Sequence, residues 1–295
     1  MSIDVSSAPV GGALSGRKGD RRVTVIRAPA FSFAGMLQQL TKLVEYRDLL
    51  YTLTVHRIKV RYKQSVLGLS WAILQPLSLM LIYTLIFSVV ARMPSDDIPY
   101  PLFAYTGLLP WTYFSTALST ATNGLVSHSH LVTKVYFPRE ILPVTYVLAA
   151  LFDFLIASLV LAGLMIYYRA PITLNFLYVV PIILVLTIFA LAMSLFMSAV
   201  QVRFRDVGVA MPLLLQVWMF ATPIIYPLSA VPERLRPIYD LNPTVGVIEG
   251  FRNVLLQGTP PNFRALGASA LVSLILLPLM YIYFKHVEAT VADVV

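Results

Sequence analysis

Residues 141–168 read ILPVTYVLAALFDFLIASLVLAGLMIYY, an apolar run interrupted by one charge, Asp153. A helix rises about 1.5 Å per residue and a bilayer's hydrocarbon core is about 30 Å thick, so about 20 uncharged residues suffice to cross it. This run is long enough with turns to spare. Working outward from it, similar runs recur at 70–90, 102–121, 174–200, 207–226 and 266–284. The chain is 58% hydrophobic and 12% charged, with a mean hydropathy of +0.78, a balance a water-soluble fold cannot hide. The reading is an all-α integral membrane protein with six transmembrane helices. Residues 1–34 form a basic cytoplasmic tail, 35–69 a cytoplasmic and interfacial helical segment, and 70–295 the six-span domain.

Charge placement orients the spans. With the N-terminus inside, the inner segments hold Arg57, Lys59, Arg61, Lys63, Lys134, Arg139, Arg203, Arg205 and Lys285 besides the basic tail. The outer ones hold only Arg92, Arg169, Arg234, Arg236, Arg252 and Arg264. That excess is the sense of the positive-inside rule and puts both termini in the cytoplasm of a multi-pass inner-membrane protein. The net charge of +8 is then explained by anionic headgroups rather than by nucleic acid, which is not an expected partner. The tail has no apolar run and is not a signal peptide. With no cysteine, disulfide scaffolds, thiolate metal sites and cysteine nucleophiles are excluded.

Three departures from plain apolar runs carry more information than the runs. The second run is polar and breakable, with Gly107, Pro110, Thr112, Ser115, Thr116, Ser119 and Thr120. The segment 227–264 has its own helical pattern in Val245, Ile248, Phe251, Leu255 and Leu256, too short to span. It is expected either to dip into the outer leaflet beside a pathway, as re-entrant helices between spans five and six, or to lie as a surface hairpin. Before the first span, Tyr46, Leu49, Leu50 and Leu53 make the apolar stripe of an N-terminal interfacial amphipathic helix. Beyond it Arg57 and Arg61 share one face and Lys59 and Lys63 the opposite one. That segment is expected among headgroups or against a cytoplasmic partner.

Residues able to carry chemistry are few. Gly11 to Gly16 has the spacing of a phosphate loop but is followed by Arg17 and Lys18, so no ATP site is expected in this chain. His128 and His130 are expected to be solvated loop residues, and no metal site is assigned. Asp153 lies in mid-span, where an ionised carboxylate needs a cavity or a partner. Either a transport role or a hydrogen bond to a Ser, Thr or Tyr of a neighbouring helix satisfies it. Aromatics crowd the ends of spans two and five, among them Tyr105, Trp111, Tyr113, Trp218, Phe220 and Tyr226. Most suit an interfacial belt, and some a passage for sugars.

Four motifs in order resemble the permease subunits of ATP-binding-cassette exporters of O-antigen, capsule or teichoic-acid chains. They are Arg61-Tyr62-Lys63-Gln64-Ser65-Val66-Leu67-Gly68 leading into Trp71 and Gln75-Pro76, and Lys134-Val135-Tyr136-Phe137-Pro138-Arg139-Glu140-Ile141-Leu142-Pro143. Then come Arg203-Phe204-Arg205-Asp206-Val207-Gly208 followed by Pro212, Gln216 and Phe220-Ala221-Thr222-Pro223-Ile224-Ile225-Tyr226-Pro227, and Leu241-Asn242-Pro243 with Gly250-Phe251-Arg252. The resemblance implies a permease that is not itself an enzyme and has no catalytic residue. It implies a homodimer with two nucleotide-binding subunits carrying Mg-ATP, among membrane lipids, moving a lipid-linked glycan.

It implies a coupling helix around Phe137 to Glu140 docked on the ATPase, beside the interfacial helix. Arg57, Arg61, Lys134, Phe137, Pro138, Arg139, Glu140, Arg203 and Arg205 are the coupling candidates. Trp71, Tyr83, Tyr105, Trp111, Tyr113, Asp153, Trp218, Phe220 and Tyr226 are candidates for the channel. Asn242, Pro243, Glu249 and Arg252 are candidates for an outer gate. A lipid or drug exporter of the same superfamily shares these motifs. A membrane-embedded glycosyl- or acyltransferase would need clustered acids or a His-Asp pair that the sequence lacks.

Overall fold

Every regular element of the computed structural model is helical; it describes residues 45–63, 65, 67–96, 98–128 and 137–294, with side chains through 288 except that of Asp240. The expected tail 1–34 and the coupling candidate Lys134 lie outside the described residues. In chain order the helices are α1 Arg47–Lys63, α2 Trp71–Tyr83, α3 Tyr100–Thr122, α4 Gly124–Ser127 and α5 Ile141–Tyr167. There follow α6 Val179–Arg203, α7 Val207–Phe220, α8 Arg236–Asp240, α9 Pro243–Leu255 and α10 Phe263–Val294. A 3-10 turn, Gly68–Ser70, leads into α2, and a π-helical stretch, Thr84–Val90, continues it.

Among the described residues, four helical stretches are long and apolar enough to cross a membrane: Gly68–Val90, Ile141–Tyr167, Leu174–Arg203 and Phe263–Glu288. The other two expected spans form helices of a different character. At 14 residues α7 is about 21 Å long and stops at Phe220, where Thr222-Pro223 breaks the run expected to reach residue 226. By contrast α3 has 23 residues, about 35 Å, but its polar residues keep it from reading as a lipid-facing span. The fold accounts for them, because α3 is the central helix of the protein. Its Phe103, Leu108, Phe114 and Leu118 are buried among α5, α6, α7 and α9, in an apolar cluster that also holds Phe154, Phe189, Ile224 and Phe251. The faces of α2, α5, α6 and α10 that carry Leu81, Leu159, Val180 and Leu271 are exposed, as lipid-facing surface must be.

A second apolar cluster sits at the end of the molecule that carries most of the basic residues. Leu125, Phe137, Ile141 and Leu142 meet Leu195, Ala199 and Val202 of α6 and Tyr281, Phe284 and Val287 of α10. The stripe expected on α1, Tyr46, Leu49, Leu50 and Leu53, packs on this cluster. The amphipathic helix therefore rests its apolar face on the protein's own side chains. Its cations divide as their spacing requires, with Lys59 and Lys63 exposed and Arg57 and Arg61 turned toward α5. This corrects the expectation that the whole of Arg57 to Lys63 sits among headgroups or on a cytoplasmic partner, since the arginine face has partners within the chain.

Candidate functional site

A cavity of about 880 Å³ lies between α2, α3, α5 and α7, with Arg61 and Tyr62 of α1 at its rim. From Trp111 to Thr120 the half-exposed residues of α3 are Thr112, Ser115, Thr116, Ser119 and Thr120, and the residues between them are buried. All five line the cavity. Their spacing of three, four and seven places them on one helical face, so a helix apolar on its other sides presents a strip of hydroxyls here. Thr120 donates to the Thr116 carbonyl at 2.6 Å and Ser115 to that of Thr112 at 3.3 Å, which leaves their oxygen lone pairs for the cavity. Opposite stand Trp71, Gln75 and Tyr83 of α2 and Gln216 of α7.

Asp153 is at the wall of this cavity, and its charge is matched. Tyr62 donates to its Oδ1 at 2.6 Å and the Arg61 guanidinium pairs with Oδ2. Of the two uses left open for it, the hydrogen bond to a tyrosine is present, while the carboxylate still borders the cavity. Burial, and then the bond to Asp153, push the Tyr62 phenol above its ordinary value, so it remains a proton donor. One turn back, Arg57 stacks 3.3 Å above the Tyr146 ring and lies 3.4 Å from His128. His128 also bonds the Gly124 carbonyl at 3.0 Å, so it is a packed residue rather than the solvated one expected. Burial lowers its affinity for a proton. Among the described residues, no three histidine or carboxylate groups converge as a metal site would need.

Of the channel candidates, Trp71, Tyr83, Trp111, Tyr113 and Asp153 line the cavity, and four do not. Tyr105 is fully buried, its hydroxyl on the Ala157 carbonyl at 2.9 Å. Trp218 packs edge-on against Phe114 and Phe189, with ring centroids 5.1 and 6.0 Å away. Phe220 is exposed, and Tyr226 bonds the Phe220 carbonyl at 2.8 Å and Tyr239 at 3.0 Å. An aromatic residue at the right helical depth can fill a core as well as a passage, and its neighbours decide which. Gln75 and Gln216 were visible in the motifs as lone amides within apolar runs, yet only the fold brings them to the cavity.

At the basic end, Arg203 and Arg205 are exposed on the turn between α6 and α7. Gln201 builds that turn by accepting the Gly208 N–H at 2.5 Å and donating to the carbonyls of Arg205, 3.1 Å, and of the Asn123 side chain, 3.2 Å. The segment Phe137 to Glu140 is bound inward. Phe137 is buried in the second cluster, and Glu140, 2% exposed, accepts from Lys285 at 2.7 Å and from Tyr281 at 3.3 Å. The Arg139 guanidinium donates to the Glu288 carbonyl at 2.5 Å and its backbone N–H to the Glu288 carboxylate at 3.2 Å. Arg139 and Glu140 thus make charge-assisted contacts within the chain, to α10. Pro138 is half-buried between them.

At the other end the gate candidates meet in one place. Asn242 caps α9, accepting from the Thr244 N–H at 3.2 Å and its hydroxyl at 2.7 Å and donating to Thr222 at 3.0 Å. Pro243 occupies the first helical position, where a missing N–H costs nothing. Arg252, 3% exposed, donates to the carbonyls of Pro223 at 2.7 Å and Ile224 at 2.6 Å and to Glu249 at 3.1 Å. Its guanidinium lies 3.7 Å from the centre of the Phe103 ring. Gly107 of α3 makes room for this, since a Cβ there would come within 2.7 Å of the Ile224 oxygen and 2.9 Å of the guanidinium. The turn that ends α7 is therefore tied to α9 and to the central helix.

A helical membrane protein with a hydroxyl-lined cavity among its helices and a basic end shaped around an inward-bound Phe-Pro-Arg-Glu turn has the build of a membrane transporter subunit. The chain belongs to the ABC-2 type transporter family, whose model matches residues 48–256. It is similar to the O-antigen export system permease protein RfbA of Myxococcus xanthus, 36% identical over 82% of this chain and 93% of that one. A Klebsiella pneumoniae O-antigen export permease RfbA is 32% identical over 72% and 81% of the two chains. The polysialic acid transport protein KpsM of Escherichia coli is 27% identical over 76% and 88%.

Proposed function

We propose that this chain is the channel-forming subunit of a transporter that exports a lipid-linked, O-antigen-like polysaccharide across a bacterial inner membrane. The observation that carries the proposal is the face of α3, where Thr112, Ser115, Thr116, Ser119 and Thr120 turn to the cavity opposite Trp71, Gln75, Tyr83 and Gln216. Hydroxyls and amides both donate and accept, and aromatic faces cover the apolar faces of sugar rings, so such a lining suits a chain of changing hydroxyl pattern. A lipid passage would need no strip of hydroxyls. The named cargo of the relatives, O-antigen and polysialic acid, supports the same reading.

In this reading two copies enclose the channel, with the exposed face of α7, Val209, Leu213 and Val217, turned to the second copy. Two separate subunits bind Mg-ATP and dock at the basic end, where Arg203 and Arg205 are exposed beside the Phe137 to Glu140 turn. That end and both termini face the cytoplasm. Of the six crossings, α3 and α7 are those held among protein, and α8 and α9 form the outer re-entrant segment. There Asn242, Pro243, Glu249 and Arg252 hold the gate at residues 222–226.

The test is reconstitution of the chain with its ATPase in proteoliposomes containing a fluorescent undecaprenyl-pyrophosphate-linked oligosaccharide. The expected result is ATP-dependent translocation of the sugar to the opposite leaflet. Translocation of phospholipid or a hydrophobic drug in its place would make the chain a lipid or drug exporter. Turnover of a sugar donor with no ATPase present would make it a transferase.

A further inference from the structure

None of the residues that line the cavity belongs to α10, at 32 residues the longest helix among the described residues. Both of its ends, however, are joined to the two places where a transporter of this kind has to move. At the basic end Lys285 lies between two carboxylates, 2.7 Å from Glu140 and 2.7 Å from Glu288, and Arg139 reaches back to Glu288 through its backbone and its guanidinium. Glu140 is almost without access to water. Pulling the turn away from α10 would strand a buried carboxylate without its cation, so the turn and the helix end move together or not at all.

At the other end Gly246 of α9 lies directly on α10. A Cβ at Gly246 would meet the Ala265 carbonyl oxygen at 2.7 Å and would collide with the Ser269 hydroxyl. The Gly246 backbone lies against the Ala265 backbone and the Ser269 hydroxyl, which leaves little room to absorb a shift. Through Arg252 and Asn242, α9 in turn holds residues 222–224. From Ala265 to Lys285 is about 30 Å along the helix, which runs through the interior Pro278 without a break, and this is the thickness of a hydrocarbon core. Along that length α10 makes its most extensive packing on α6.

We propose that α10 is the rod that carries motion of the Phe137 to Glu140 turn to the far-end segment formed by α9 and residues 222–226, with Glu140, Lys285 and Glu288 as positioning residues of its lower joint. This rests on the proposal that the turn couples to an ATPase, and the test separates the two.

Because the chain has no cysteine, spin labels can be placed at will. Val90→Cys and Gln257→Cys, both at exposed far-end positions, report the distance across that end in the complete permease–ATPase complex in nanodiscs. The expected result is a distance change on vanadate trapping of ATP. It is lost in Glu140→Gln/Lys285→Met, retained in Lys285→Arg, and reduced about twofold in Glu288→Gln, with the ATPase still co-purifying in wild-type ratio.

An unaltered distance change in the double variant would overturn the rod. Should the double variant not assemble, an unaltered change in Glu288→Gln overturns it instead. A Pro138→Cys variant that crosslinks to the ATPase in a complex showing no distance change leaves the coupling turn standing and removes the rod. No crosslink in an active complex removes the coupling turn itself.

Discussion

Replacing Asp153 with Asn tests what holds α1 to the wall of the cavity. The amide oxygen can still accept from Tyr62, which bonds the carboxylate at 2.6 Å, but the charge opposite Arg61 is gone. The two side chains are 33% and 18% exposed, so this pair stands between two known limits. An exposed ion pair contributes about 0–1 kcal/mol, while removing one partner of a buried pair costs about 3–5 kcal/mol. A value of about 2 kcal/mol follows for the half-buried case, or a factor of about 30 in the equilibrium for docking α1 on α5. For a domain of this size that lowers the melting midpoint by about 4–8 °C.

The assay is a detergent melt together with a crosslink between cysteines placed at Ile58, which shares the half-buried face of Arg57, and near the start of α5. The variant should fold, melt earlier, crosslink less and lose transport. Arg61→Asp/Asp153→Arg should recover part of the midpoint. A midpoint and crosslink indistinguishable from wild type, with transport intact, would show that the pair holds nothing and that the carboxylate has no role at the cavity.

Three further outcomes are expected. Arg252→Met leaves the carbonyls of Pro223 and Ile224 and the carboxylate of Glu249 without their donor, at a cost of about 3 kcal/mol or more, and should sharply reduce the yield of folded protein; an unchanged melt refutes the clamp. Thr116→Val with Ser119→Ala removes two hydroxyls from the cavity wall while nearly conserving volume. It should slow glycan transport several-fold at a constant melting midpoint, and equal transport rates would empty the hydroxyl face of meaning. His128 holds its proton less readily in the folded chain because burial disfavours the cation. Below its unfolded pKa of about 6.5 the unfolded chain takes up a proton that the folded one does not, so stability should fall with pH there. A pH profile of the melt that His128→Asn leaves unchanged would contradict this.

Much of the fold was legible because it is local. Four apolar runs became helices long enough to span, α1 carries its stripe where the periodicity placed it, and Asn242-Pro243 starts a helix as cap and first residue. The two remaining runs also form helices, whose surroundings hydropathy does not show. Hydropathy counts residues and cannot see that α3, the polar helix, is polar on one side because it walls a cavity and apolar elsewhere because it is the core. Nor could it see that α7 stops at Phe220.

By itself, then, the sequence determined that this is a helical membrane protein, where its helices begin, and which basic segments gather at one end. These follow from transfer free energies and backbone caps, which act within a few residues. Only the tertiary structure decided what the charges in and beside those helices do. Asp153 meets Arg61 across 92 positions of the chain and Glu140 meets Lys285 across 145, while Tyr105 and Trp218 go to the core and Trp71 to the cavity. A buried charge must find a partner wherever packing brings one, and packing between helices has no period that a sequence can show.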